Sequence, residues 1–133
     1  MRRCLSIAVI AVMALPCAKA RAADVANGKK IARLHCARCH VVGDFNRMGG
    51  ISSTPSFFLL VREFKDWRHR FETFFARRPH PAFLSIKGIG RPRTDLPANA
   101  HPVELPPGAV ADVIAYTETL QKEKSADKKG SPQ

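Results

Sequence analysis

The stretch Leu34-His35-Cys36-Ala37-Arg38-Cys39-His40-Val41-Val42-Gly43 sets two cysteines three residues apart and a histidine directly after the second. Three chemistries use such a pair: a redox dithiol, half of a zinc site, and covalent attachment of haem. A redox dithiol belongs beside a βαβ unit, and a zinc site needs two further ligands at suitable spacing. The remaining histidines, His35, His69, His80 and His101, are scattered, and no βαβ pattern surrounds the pair. Haem attachment makes physical sense of the spacing. Two thiols one helical turn apart reach two vinyl groups of one ring, and the following imidazole lies where it can bind the iron.

The context supports that reading. The chain has 133 residues, which bounds it to one domain. Arg2 and Arg3 precede an uncharged run from Cys4 to Leu15, Pro16 ends the run, and Ala20-Arg21-Ala22 follows. This is the order of a secretory signal peptide over residues 1–22, with an apolar run too short to be an anchor. Cleavage would remove Cys4 and Cys17 and leave Cys36 and Cys39 as the only cysteines. The exported chain would then hold neither a disulfide framework nor a second Cys pair for zinc. Residues 1–22 carry four Lys or Arg and no acid, so the formal charge falls from +11 to +7. For an exported protein this excess suits an acidic face on a partner protein, or an anionic membrane surface, better than nucleic acid.

Residues 24–39 read as a helix: Asp24 caps it, and Val25, Gly28, Ile31, Ala32 and Cys36 recur near helical spacing. Residues 43–56 hold three glycines and a proline and read as loop. Phe57 to Phe75 reads as helix in two pieces. Seven prolines between Arg77 and Pro107 rule out a long helix there and predict an ordered loop. A final helix is expected over 107–121, and a flexible polar tail over 122–133. Helices, a long proline-rich loop and almost no strand pattern predict a small all-α domain over residues 23–121. Its core is modest for about 110 residues, so a central cofactor would help to fill it.

At this point the chain resembles the small monohaem c-type cytochromes of the bacterial periplasm. The motif is the specific part of the likeness. "ANGKKIARLHCARCH" (26–40), "GGISSTPSF" (49–57), "FFARRPHPAF" (74–83) and "VELPPGAVADVIAYTETL" (103–120) are similar to the family's landmarks and follow in the same order. The resemblance implies three to four short helices wrapped around one haem c, attached at Cys36 and Cys39 with His40 as proximal ligand. It implies that the Pro55 carbonyl accepts the other ring proton of His40, and that Gly28 lets the first helix cross the last against Tyr116. It places Trp67, Arg62 and Arg70 near the haem propionates. The implied function is one-electron transfer with a redox partner protein, with no catalytic acid or base.

The pattern breaks at the second axial ligand, usually a methionine before the last helix. Met48 lies only eight residues after His40, on the wrong side of the motif. His101, in a His-Pro pair four residues before Leu105, and His80, in "RRPHPAF", stand as substitutes. If neither binds, the iron has an open position, and the chain reads as a haem-based sensor, a small-ligand binder or a weak peroxidase.

Overall fold

The computed structural model describes residues 21–89 and 101–130, with only the backbone course for 124–130. Most of the expected signal peptide and the centre of the proline-rich loop lie outside these residues. Four α-helices are present among them: α1 Val25–Ile31, α2 Phe57–Glu63, α3 Trp67–Glu72 and α4 Ala109–Gly130. The fold is mostly helical, as the pattern predicts. No helix among the described residues is long and apolar enough to cross a membrane.

The Asp24 side chain accepts from the Asn27 N–H and starts α1. Where an unbroken helix to Cys39 is expected, α1 gives way to a wider π-turn over Ala32–Cys36, closed by the Ala37 N–H on the Ala32 carbonyl. Ser56 caps α2 by accepting from the Leu59 N–H, and the chain breaks at Phe64–Asp66 before α3. The split expected between Phe57 and Phe75 is therefore present.

α1 crosses α4 at its closest approach. A Cβ on Gly28 would lie 1.9 Å from the Asp112 carbonyl oxygen, a distance only glycine avoids. Gly28 thus meets the last helix as expected, but against the Asp112 backbone rather than Tyr116. Tyr116, one turn on, donates from its hydroxyl to the Val42 carbonyl at 2.7 Å. The buried set Ile31, Ala32, Phe57, Val61, Trp67, Phe71, Val113, Ile114 and Leu120 fills the space between the helices. Arg68 of α3 pairs with Glu118 of α4 on the outside.

Two expectations are corrected. The proline-rich segment is not free of strands: β1 Leu84–Ile86 pairs in parallel with β2 Val103–Leu105 in the register Leu84 to Val103. Three-residue strands are too short to show a period of two, and their pairing joins residues far apart in sequence. The last helix opens at Ala109, after Pro106-Pro107-Gly108, and its backbone runs to Gly130 instead of ending at Gln121. The expected polar tail is thus helical for most of its length. Its Lys, Glu and Ala residues favour helix.

Asp112 is the charged group inside this crossing, with 1 % of its surface exposed. One carboxylate oxygen accepts the Asp24 N–H at 2.8 Å and the other accepts the Asn27 side-chain amide at 2.6 Å. Arg21 stands 3.5 Å away, within the expected signal segment. Burial pushes this carboxyl up, but the Asp24 and Asn27 hydrogen bonds and the Arg21 charge hold it below its ordinary value. A depressed carboxylate contributes stability that is complete above its unfolded value of about 3.9 and is lost as pH falls through the folded value. Asp112→Asn should therefore unfold more easily than the parent at pH 7. In urea unfolding series the difference should shrink below about pH 4; a difference independent of pH would contradict the assignment.

Candidate haem site

The two cysteines and His40 sit where the π-turn ends. The Cys36 carbonyl accepts the N–H groups of both Cys39 and His40, so the chain folds over itself within one turn. Cys36 and Cys39 are unbridged and half-buried. Burial, and then the neighbouring Cys39, push the Cys36 thiol up to about 12. A helix end of this polarity also disfavours a thiolate. A dithiol oxidoreductase requires the opposite, a thiolate at a helix N-terminus. At neutral pH Cys36 is therefore held as a thiol.

The loop after the motif holds His40 from both sides. His40 Nδ1 lies 2.7 Å from the Pro55 carbonyl oxygen. A carbonyl only accepts, so Nδ1 carries the proton and the lone pair of the neutral ring is on Nε2. Burial lowers the proton affinity of His40, the Pro55 carbonyl raises it, and His80 lowers it, with a net fall. The ring is thus neutral at pH 7, as a metal ligand must be. Asn46, which the sequence did not single out, fastens the start of the loop. Its Oδ1 accepts from the N–H groups of Val42 (3.0 Å) and Gly43 (3.2 Å), and its Nδ2 donates to the His40 carbonyl at 2.9 Å. Gly50 has φ +78°, and a Cβ there would lie 3.0 Å from the His40 carbonyl carbon. Both the left-handed backbone and the close approach require glycine. The Ile51 N–H then reaches the Cys39 carbonyl, and the Phe57 N–H the Val41 carbonyl.

Of the other residues the sequence singled out, His80 comes to His40. Their ring centres are 6.0 Å apart and their planes 5° from parallel. His80 Nδ1 also points to a backbone carbonyl, that of Arg77 at 3.0 Å, which leaves Nε2 for a ligand. His101 is exposed, two residues ahead of β2. Met48 is fully exposed in the 43–56 loop. Trp67 lies in the core, edge-on to Phe71 at 6.1 Å. Arg70 is bonded to Asp66 at 2.9 Å and lies over the Phe64 ring at 4.2 Å, and Arg62 pairs with Glu63 at 3.4 Å. These contacts of Trp67, Arg62 and Arg70 are with other protein side chains.

The residues fit a haem on two counts. A metal–imidazole bond is about 2 Å and the ring centre lies about 1 Å beyond the nitrogen, so two imidazoles on opposite sides of one ion have centres about 6 Å apart. Residues tied by their backbone to the two histidine segments also carry exposed apolar side chains: Ile51 (51 %), whose N–H bonds the Cys39 carbonyl, and Phe83 (59 %), whose N–H bonds the His80 carbonyl. Comparison with protein-family models, curated proteins and solved structures returns no match for this chain.

Removing the Asn46 side chain leaves two amide donors and the His40 carbonyl without their protein partner. Asn46→Ala should cost about 2 kcal/mol in denaturant unfolding, and Asn46→Asp, which keeps the acceptor, about half as much. Equal and negligible effects of both would show that the loop does not depend on this clamp.

Proposed function

We propose that the chain is a periplasmic one-electron carrier, or the haem-bearing subunit of an electron-transfer chain, with one haem c attached through Cys36 and Cys39 and His40 as proximal ligand. The observation that carries the reading is the His40 ring, set directly after the Cys pair and tied by Nδ1 to the Pro55 carbonyl. A ligating histidine is normally held in this way, with its second nitrogen on an outer-shell acceptor that fixes the tautomer and strengthens the donor. Bound haem would supply an iron that alternates between ferrous and ferric states.

The protein's share is positional. Cys36 and Cys39 would hold the ring covalently. His40 would bind one face through Nε2. Ile51 and Phe83 would lose their contact with water against the ring, which adds apolar burial to the thioether bonds. No acid or base is needed for a single electron to cross at a ring edge. The basic excess left after cleavage, +7, suits docking to an acidic face of a partner protein.

The test is the purified exported protein. Its mass should equal the chain from about Ala23 onward plus one haem, and Cys36→Ala with Cys39→Ala should abolish the covalently attached pigment. A colourless wild type, made in cells that attach haem to other proteins, would overturn the reading.

A further inference from the structure

We infer that His80 is the second axial ligand of the iron, presented by the Arg77 carbonyl with its ring parallel to that of His40. The inference rests on the covalent-haem reading above and deepens it.

Three features of the turn support it. The Arg77 carbonyl accepts from His80 twice, from the backbone N–H at 3.0 Å and from Nδ1 at 3.0 Å. One acceptor thereby fixes both the backbone and the side-chain torsion, and it sets the proton on Nδ1. Phe74 packs its edge on the His80 ring at 5.6 Å and 80°, which closes off another orientation. The turn His80–Ala82 is short, but it is tied beyond its end. The Phe83 N–H bonds the His80 carbonyl at 2.8 Å, and the Phe83 carbonyl accepts the Val103 N–H at 2.9 Å where β1 and β2 pair. His40 is tied as firmly on its own side. Two imidazoles, each with Nδ1 on a carbonyl and Nε2 left for a ligand, therefore have ring centres 6.0 Å apart and planes 5° from parallel.

The functional consequence separates the two readings left open by the sequence. An iron with both axial positions filled by tethered imidazoles has no place for a small diatomic ligand, which argues for the carrier over the sensor. Imidazole in place of a thioether also lowers the reduction potential relative to a His-Met centre.

The experiment uses the mature holoprotein, with covalent haem checked by mass in every sample. Electron paramagnetic resonance of the ferric protein should give the rhombic low-spin signal of parallel imidazole planes. Ferrous wild type should show no Soret shift under carbon monoxide. His80→Ala should lose the low-spin signal and gain the carbon monoxide shift, and His101→Ala should keep the wild-type behaviour. His80→Met keeps a ligand at the same place. It should remain six-coordinate and acquire the near-infrared charge-transfer band of a thioether on ferric iron, which tests the position even if the alanine variant does not fold. Haem-loaded wild type that binds carbon monoxide, or gives the signal of perpendicular rings, would overturn the inference. So would His101→Ala opening the iron while His80→Ala does not. Absence of covalent haem would overturn the underlying reading instead.

Discussion

The approach of α1 to α4 at Gly28 is the constraint on which the rest of the structure depends. With the Asp112 carbonyl oxygen 1.9 Å from where a Cβ would sit, the two backbones are in direct contact and their crossing has little freedom. The charge this buries is satisfied on the spot by the Asp24 N–H and the Asn27 amide. Once α1 is placed, the π-turn that continues it is placed, and that turn leads into Cys36, Cys39 and His40. Tyr116 extends the same docking one turn further by holding Val42, which fixes the exit of the chain from the motif.

From that exit the site is built by backbone carbonyls used as anchors. The Pro55 carbonyl takes the His40 ring, the Cys36 carbonyl takes two N–H groups of the motif, and the Arg77 carbonyl takes the His80 ring and its N–H. Asn46 and Gly50 let the 43–56 loop return close enough for Pro55 to provide the first of these. The imidazoles are thus oriented before any ligand arrives, which reduces the ordering that binding would require.

The sequence made the helical parts legible where a local signal was strong. Asp24 before an apolar period marked α1, the Phe-rich run marked α2 and α3, and the resemblance, through Gly28, marked a close crossing with the last helix. Its partner was misjudged by one turn, because sequence cannot tell which residue of α4 lies opposite. The Pro55 contact was legible only through the resemblance, since nothing local in "SSTPS" aims a carbonyl at His40. The β1–β2 pair was missed because its strands have three residues each and pair across the whole proline-rich segment. Asn46 was missed as well, though an Asn three residues after Gly43 in a loop is a signal for such a backbone clamp. His80 and His101 could not be separated by reading. Only the folded chain brings the His80 ring parallel to His40.

The central claim is that one iron sits in this chain with nitrogen donors from two histidines. Iron-edge X-ray absorption on the purified ferric protein addresses it most directly, because it counts and identifies the atoms bound to the metal. The account predicts six nitrogen neighbours in one shell and the outer-shell scattering of two imidazole rings. A sulfur neighbour, a five-atom shell, or protein without iron would contradict it.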